Sequence, residues 1–449
     1  MSNRIKLAVI ADTHYYSRTI GDCGRAYELR SGSDQKCLAE SKEVIGEAFC
    51  QIVSDGADAL LIAGDVTNNG EKQSHEEFRQ MLYDIKKKIP VYIITATHDW
   101  CSDDRNNRYV GDRVISDVEF LKYDELRDFY KDFGPSQALS EFVTHLGTSS
   151  YVCQLCDGLR LLALNDDQNG KGTGAGFSDE HFLWIEEQLK KAREDGQQVV
   201  AVEHHPIIPP VHPMITGGSC VAEREYVASR LADAGLSVIF TGHLHMVDES
   251  EFVSEKGNVI HQYALGALCG YPGYITYADF DGETLSIENK KTKYFDFLSD
   301  KSFDLVMNVI NAATDSKKEF AERLSALGAN GEKLSKIYPI AKPLAKFFKK
   351  ATVGRTYKKI RRLLLWQIPK QDRDGYYNMK LQDAVKKVLL SVFGEGLSLT
   401  EDDGLYKRVY AIASFPSKIS PDKKVLCDIK NLVEAILKKG KADGNHSFK

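Results

Sequence analysis

The chain has 449 residues, of which 43% are hydrophobic and 27% are charged, and its formal net charge is −5. This composition is typical of a soluble globular protein with room for two or three domains. The longest apolar runs, at residues 59–63 and 91–94, are far too short to span a bilayer. The N-terminal residues lack the apolar region of a secretion signal, and the nine cysteines are scattered, so the sequence predicts a cytoplasmic protein.

The first part of the chain alternates between strand and helix patterns. Continuous apolar runs, as in buried strands, occupy residues 5–11, 59–63, 91–95, 159–164, 199–202 and 238–241. Helical patterns lie between them at residues 38–54, 71–88, 178–194 and 222–234. Residues 247–287 favour further strands and turns. This alternation predicts a layered α/β domain over residues 1–295.

From about residue 296 the pattern is helical, which predicts a second, all-helical domain over residues 296–449. The charge divides at nearly the same place, with about −19 before Lys291 and about +14 from Lys291 onward. Two regions of opposite charge could dock on each other, or the basic region could bind an anionic partner. The sequence assigns this helical region no role of its own.

Residues 342–366 form the most basic segment of the chain. Nine Lys and Arg residues alternate there with Phe347, Phe348, Tyr357 and Trp366. One interpretation is a solvated helix face whose apolar side packs in the helical core. A second is contact with anionic lipid at a membrane surface. A third is docking on the acidic domain or on nucleic acid.

Five short His and Asp motifs follow predicted strands in a fixed order. They are Asp12-Thr13-His14, Gly64-Asp65, His98-Asp99, His204-His205-Pro206 and Gly242-His243-Leu244-His245. Any one of them could be a turn or a cap, since Asp favours both. Together they indicate a metal site, because α/β sheets place their chemistry at strand ends. Mixed His and Asp ligands suit Mn, Fe or Zn and not a thiolate site.

This order of motifs resembles the calcineurin-like metallophosphoesterase superfamily over about residues 7–280. Within it, the short Gly-His-Leu-His motif is most similar to the bacterial phosphodiesterase-like branch. The resemblance implies an α/β sandwich of two β-sheets flanked by helices, and it does not extend to the helical region. It also implies hydrolysis of phosphoesters, most simply diesters, by a hydroxide that bridges two metal ions.

The resemblance implies a role for each motif. Asp65 would bridge two metal ions, and the other implied ligands are Asp12, His14 and His245 for the first metal and His204 and His243 for the second. His98 would assist the leaving group as a general acid, or act as a charged donor to the phosphoryl oxygens. Asp99 would orient His98, and His205 would support the ligands without binding metal.

Thr97 departs from the family pattern, in which an asparagine at this position ligates the second metal. A threonine hydroxyl is shorter, so we expect a weaker second site. Three interpretations stay open: two metals with Thr97 or a water as ligand, one metal when metal is dilute, or a catalytically dead site. Arg105, Arg108 and His212 lie in loops beside the motifs and are candidate substrate contacts, although a surface salt bridge is an equal reading for the arginines.

Four functions remain open from the sequence. A metal-dependent phosphodiesterase acting on a small phosphoester is favoured. The alternatives are a phosphomonoesterase or protein phosphatase of the same fold, and a binding module with a degenerate metal site. A nuclease is disfavoured because the first domain is acidic.

Overall fold

The computed structural model describes residues 3–102, 106–167, 174–327, 330–394 and 396–448. The strands are β1 (Ile5–Ile10), β2 (Ala59–Ala63), β3 (Val91–Ile94), β4 (Arg108–Val110), β5 (Arg113–Ile115), β6 (Ser140–Val143), β7 (Ser149–Cys156), β8 (Leu159–Ala163), β9 (Gln198–Glu203), β10 (Val238–Thr241), β11 (Asp248–Val253), β12 (Val259–Ala264), β13 (Tyr274–Phe280), β14 (Thr284–Lys291) and β15 (Gly444–Ser447).

The α-helices of the first region lie between these strands. They are α1 (Gly24–Ser31), α2 (Ser41–Ser54), α3 (Lys72–Lys86), α4 (Tyr123–Tyr130), α5 (Asp179–Glu194), α6 (Pro213–Thr216) and α7 (Arg224–Ala234). The later helices are α8 (Phe295–Asp315), α9 (Lys317–Ala326), α10 (Gly331–Leu334), α11 (Tyr338–Lys350), α12 (Val353–Leu363), α13 (Leu381–Phe393), α14 (Gly404–Ile419) and α15 (Lys424–Lys438).

Two mixed sheets form the centre of the fold. One has the order β15-β14-β13-β1-β2-β3 and the other β11-β12-β10-β9-β8-β7-β6. The strands that precede the motifs run parallel to their neighbours, β1 with β2 and β3 in the first sheet and β9 with β10 in the second. Parallel neighbours bring their carboxyl ends to one edge, so motifs distant in sequence come together there.

Side chains alternate between the two faces of each sheet. In β1, Leu7 and Val9 pack in the core between the sheets with Leu161 and Phe240 of the second sheet. Ala8 and Ile10 point to the opposite face. Helices α2 and α3 cover that outer face, and α5 and α7 cover the outer face of the second sheet. Because both faces are buried, the strands are continuously apolar, and the predicted α/β sandwich flanked by helices is confirmed.

The C-terminal region is helical from Phe295, as predicted, but a further strand follows its last helix. Its last strand, β15, pairs antiparallel with β14 and so extends the first sheet. These four residues, Gly-Asn-His-Ser, are short and polar, so their sequence could not be distinguished from that of a loop. Among the described residues, no helix is both long enough and apolar enough to cross a membrane.

The helical region rests on α1 and on the loop that follows it. Arg25 of α1 forms ion pairs with Glu319 and Glu322 of α9. The side chain of Asn308 donates a hydrogen bond of 3.0 Å to the carbonyl oxygen of Gly32. The basic residue of this contact belongs to the acidic first region, and its acidic partners belong to the basic second region. The net charge of each region therefore did not predict which residues pair.

Candidate metal centre

The five motifs meet at the edge where the carboxyl ends of both sets of parallel strands lie. Asp12 and His14 follow β1, Asp65 follows β2, His204 follows β9, and the Gly242 motif follows β10. Gly242 is needed for this approach, because a Cβ there would lie 2.8 Å from a carboxylate oxygen of Asp12. The sequence pattern thus places the motifs correctly at strand ends.

Five of the predicted ligands have backbone conformations that side chains rarely adopt. The φ angles are positive at Asp12, His14, Asp65, His243 and His245, with values between 40° and 72°. Each such conformation costs on the order of 1–3 kcal/mol and persists only where surrounding structure imposes it. Strained residues concentrate at functional sites, and this concentration supports the choice of motifs without using their chemistry.

Asp12, His14 and His245 form the first cluster of possible ligands. The Nε2 atoms of the two histidines lie 2.9 Å apart. Oδ1 of Asp12 lies 3.6 Å from Nε2 of His14 and 3.3 Å from Nε2 of His245. Two nitrogen donors and one oxygen donor converge on one point, which is the donor set expected for a borderline divalent ion.

Asp65, His204 and His243 form the second half of the centre. Nε2 of His204 lies 3.2 Å from Oδ2 of Asp65. Ligand-capable atoms of Asp12, Asp65 and His204 lie within 4.8 Å of one another, as do those of His204, His205 and His243. Asp65 therefore lies between the two clusters, where a carboxylate could bridge a pair of ions.

The hydrogen bonds of His204 and His14 leave the Nε2 atom of each ring available to bind a metal ion. Nδ1 of His204 donates to the carbonyl oxygen of Ala63 at 2.8 Å, and Nδ1 of His14 lies 3.4 Å from the carbonyl oxygen of Thr67. Each contact favours the tautomer that leaves Nε2 with a lone pair. Nε2 of His204 is buried without a hydrogen-bond partner among the described residues. A metal ion would satisfy this atom, so the donors present fit the implied ions.

The lowered pKa values of the two carboxyl groups also favour cation binding. Burial alone would raise the pKa of Asp65, but the adjacent His204 and His98 hold it well below its usual range. Burial opposes ionisation of Asp12 as well, and His245 and His14 together bring the pKa of that carboxyl below its usual value. Both carboxylates are therefore ionised at neutral pH and can attract cations.

His98 has partners that sequence reasoning missed. Nδ1 of its ring lies 3.1 Å from Oδ1 of Asn69, and Nε2 lies 3.2 Å from Nζ of Lys36. Its backbone N–H donates to Oδ1 of Asp65 at 3.0 Å, which fixes the residue relative to the metal ligands. Asn69 was visible in the Gly-Asp-Val-Thr-Asn-Asn loop, but Lys36 belongs to no motif.

Asp99 does not orient the His98 ring, which corrects the prediction. Its carboxylate accepts hydrogen bonds from the backbone N–H groups of Thr67 and Ala96, both at 2.9 Å. It also accepts from the Thr67 hydroxyl at 3.2 Å. A side chain that is fully buried and already holds two loops together cannot turn toward its neighbour in sequence. Asp99 is therefore a positioning residue that ties the loop after β2 to the loop after β3.

His205 is held by Asp166, a residue that belongs to none of the five motifs. Nδ1 of His205 lies 2.9 Å from Oδ1 of Asp166, and the backbone N–H of His205 donates to Oδ2 at 2.8 Å. The supporting position expected for His205 agrees with this contact. A signal for Asp166 was present, since it lies just beyond the predicted strand at residues 159–164.

Two of the three predicted substrate contacts have partners within the protein. Arg108 pairs with Asp117 through two hydrogen bonds of 2.6 and 2.8 Å at the surface. Strand alternation turns it away from the cavity that its neighbour Tyr109 lines. Nδ1 of His212 accepts the backbone N–H of Met214 at 3.2 Å and so caps α6. The third predicted contact, Arg105, lies outside the described residues.

Thr97 begins a single 3₁₀ turn that ends at Asp99, and it is half-buried. Within the described part of the chain, no hydrogen bond involves its hydroxyl.

We expect the variant Thr97→Asn to tighten binding of the second metal equivalent by about tenfold or more, because the amide oxygen of asparagine reaches further than the threonine hydroxyl. Calorimetric titration of metal-stripped protein with Mn²⁺ measures this, with Thr97→Ser as the matched control. Unchanged affinity in Thr97→Asn would contradict a weak second site.

Comparisons with known proteins agree with this geometry. A family model described as calcineurin-like phosphoesterase matches residues 5–247. A probable glycerophosphodiester phosphodiesterase from Arcobacter nitrofigilis is 25% identical over 149 residues, and a probable cyclic nucleotide phosphodiesterase from Rhodococcus erythropolis is 23% identical over 252 residues. These matches cover 33% and 55% of this chain, and 42% and 66% of the two relatives.

Solved structures of phosphatases are also similar. A dimetal phosphatase from Danio rerio aligns with 64% of this chain and 96% of its own, at 12% identity and a TM-score of 0.42. The purple acid phosphatase PPD1 from yellow lupin aligns with 65% of this chain and 52% of its own, at 13% identity and a TM-score of 0.38.

Proposed function

The chain belongs to the calcineurin-like phosphoesterase family, and from that premise we propose that it is a metal-dependent phosphodiesterase. The observation that carries the proposal is the convergence of Asp and His donors from four strand ends on one buried centre. Two ions of Mn, Fe or Zn would be held there, with Asp12, His14 and His245 on one side and His204 and His243 on the other. Asp65 would lie between them.

When bound, the two ions would acidify a water molecule and neutralise the charge of the phosphoryl group. The protein side chains supply the remaining parts. Asp65 accepts the backbone N–H of His98 and so fixes that ring beside the ions. Asn69 holds Nδ1 of the ring, which leaves Nε2 facing the cavity as the atom that meets the leaving oxygen. A ring held at this place can give a proton or a hydrogen bond to the departing group.

The choice of diesters over monoesters is supported by the names of the two relatives, both phosphodiesterases. We expect hydrolysis of bis(p-nitrophenyl) phosphate in the presence of Mn²⁺, at a kcat/KM about tenfold or more above that for p-nitrophenyl phosphate. A chelator should abolish both activities, and added metal should restore them. Activity confined to the monoester would support the phosphomonoesterase alternative. Absence of turnover in protein shown to contain metal would favour the binding module.

We further propose that the basic segment contacts anionic membranes. Residues Ile337, Ile340 and Leu344 lie on one side of the start of α11, and Ile340 and Leu344 are 65% and 60% exposed. Leu363, Leu365 and Trp366 at the end of α12 are also exposed. We call these six side chains the apolar patch.

Exposed basic residues lie on the same stretch of chain as the apolar patch, residues 336–362. They include Lys336, Lys346, Lys350, Lys358, Lys359 and Arg362. Nζ of Lys359 lies over the ring of Phe347 at 4.5 Å, which joins α12 to α11. Apolar groups that enter the lipid interface, flanked by cations that meet anionic headgroups, are the features of a helix that lies on a membrane surface.

We expect the protein to co-sediment with vesicles that contain phosphatidylserine at low salt, and to bind far less to phosphatidylcholine alone. The double variant Leu365→Ser/Trp366→Ser should weaken binding by about tenfold or more, because two exposed apolar side chains are lost. Leu183→Ser is the matched control, since Leu183 of α5 is 63% exposed outside the patch. No binding at low salt would contradict the proposal. A dimer that the same double variant dissociates would assign the patch to a second copy instead.

A further inference from the structure

A cavity of about 380 Å³ opens beside His98. Its lining is mostly polar and includes Arg30, Lys36, Asn68, His98, Tyr109 and Leu327. Because Nε2 of His98 faces it, the cavity lies where the leaving group of a bound phosphoester would be. The contents of this cavity therefore bear on which leaving groups the site accepts.

Lys36 is the unusual group in this cavity. It is only 7% exposed, and its Nζ lies 3.2 Å from Nε2 of His98. An ammonium has three N–H donors. His98 accepts one of them while its Nε2 is unprotonated, and none when Nε2 carries the proton that it would give to the leaving oxygen. No carboxylate oxygen of the described residues lies within ion-pair distance of this Nζ. A buried cation with donors to spare is costly unless an anion binds it.

The other charged groups beside Lys36 in this cavity, Arg30 and Asp34, already pair with each other. Arg30 forms an ion pair with Asp34, and its second amino group donates to Oδ1 of Asn68 at 3.3 Å. The other carboxylate oxygen of Asp34 accepts the backbone N–H of Lys36 at 3.0 Å. These contacts fix the loop that carries Lys36 and cancel the charge of Arg30. The cavity therefore presents the charge of the Lys36 ammonium, whose pKa burial lowers and a bound anion would raise.

The helical region completes the cavity. Ala326 and Leu327, at the end of α9, form part of its wall. Asn308 holds Gly32 at the start of the Lys36 loop, where a Cβ would lie 2.6 Å from the guanidinium of Arg323. Gln35, in the same loop, contacts Nδ1 of His245 at 2.8 Å. One loop thus links the helical region to both the cavity and the metal ligands.

We propose that Lys36 and this cavity form a subsite for a phosphate group that belongs to the leaving group of the substrate. The inference rests on the proposed phosphodiesterase activity and names its substrate class, which is a diester of diphosphate with one organic group on each phosphorus. A phosphate placed directly on the leaving oxygen would lie within reach of the spare N–H donors of Lys36, because His98 meets that same oxygen. Leu327 and Tyr109 leave room beyond it for the organic group.

The reaction balances without a further reactant. The oxygen of water forms a bond to the attacked phosphorus, and the bond from that phosphorus to the bridging oxygen breaks. The bridging oxygen keeps the electron pair and departs on the second phosphate. The two protons of the water end on the two monoester products. Lys36 keeps its protons throughout and donates hydrogen bonds to the departing phosphate.

A matched pair of substrates tests the subsite. Diphenyl phosphate and P1,P2-diphenyl diphosphate differ by one phosphate, and the quantity measured is the ratio of their kcat/KM values with Mn²⁺. We expect wild-type protein to prefer the diphosphate, and Lys36→Met to lower this ratio by about 30-fold or more. Lys36→Arg should keep most of the preference. Lys87→Met, which removes an exposed lysine of a surface pair, should leave it unchanged.

Several outcomes would overturn the subsite. A ratio of kcat/KM values near one for the wild type would overturn it. An equal loss of kcat/KM on both substrates in Lys36→Met would also overturn it, because Lys36 would then act only by supporting His98. Equal preference for phenyl 4-carboxyphenyl phosphate would assign the cavity to anions in general. A wild type that turns over diphenyl phosphate without preference overturns the subsite alone. Turnover of neither compound overturns the proposed function itself. Thermal unfolding of each variant confirms that the fold is intact.

Discussion

Replacing Asp65 by asparagine should lower kcat/KM for a phosphodiester by about 10³-fold or more. Asp65 lies between the two clusters of donors, with Oδ2 at 3.2 Å from His204 and Oδ1 accepting the backbone N–H of His98. Asparagine keeps the size of the side chain but removes the negative charge that would neutralise two cations at once. Loss of that charge weakens both sites, while the amide oxygen can still accept the backbone N–H of His98 and so keep the loop in place. Steady-state kinetics and the metal content of the purified variant measure the two consequences.

The control for this experiment is Asp84→Asn, which removes a carboxylate from an exposed pair with Lys87. A surface pair of this kind contributes little, so activity and metal content should match wild type. Thermal unfolding separates loss of function from loss of fold. An Asp65→Asn protein that binds two equivalents of metal and keeps its activity would be incompatible with the bridging role.

The strands, and the placing of the motif residues at strand ends, were predictable because their patterns are local. A run such as residues 59–63 is buried on both faces, so it is continuously apolar, and the polar residue that follows marks where the strand leaves the sheet. Asp65 and His204 were identified in this way. Parallel pairing then brings them together, since it fixes all the carboxyl ends at one edge.

The residues that the sequence did not reveal act across long separations. Lys36 and Gln35 lie in a loop between two helices, without a strand before them or a motif around them. Their contacts join residue 36 to residue 98 and residue 35 to residue 245. Asp99 was misassigned for the same reason, because adjacency in sequence suggested a contact with His98 while the fold used its carboxylate on Thr67 and Ala96.

The positive φ angles of the ligands could not be anticipated either. Asp12 and His243 have φ values of 54° and 72°, although neither is a glycine. This conformation is uncommon for any residue other than glycine, although Asp and His adopt it more often than most, and it persists where the surrounding structure holds it. The backbone N–H of His243 donates to Oδ2 of Asp12 at 3.0 Å, so the two strained residues hold each other. Strain of this kind becomes visible only when the structure is known.

Replacing His98 by alanine should lower kcat by about 10²- to 10³-fold for diesters with a poor leaving group, such as an alkoxide. The ring is held by Asn69 on Nδ1, and its Nε2 faces the cavity where the leaving group lies. A group that protonates the departing oxygen matters most when that oxygen leaves reluctantly. For a p-nitrophenyl diester the loss should therefore be about tenfold or less. Kinetics on a series of diesters with graded leaving groups measures this difference.

The dependence on the leaving group decides between the two roles that stayed open for His98. A general acid predicts that the rate of the variant falls more steeply than that of wild type as the leaving group becomes poorer. A charged donor to the phosphoryl oxygens predicts the same loss for every member of the series. Asn69→Ala supplies an intermediate test, because it keeps the imidazole and removes a contact that orients it. It should produce the same dependence with a smaller amplitude, whereas a uniform loss in both variants would place His98 on the phosphoryl oxygens and away from the departing one.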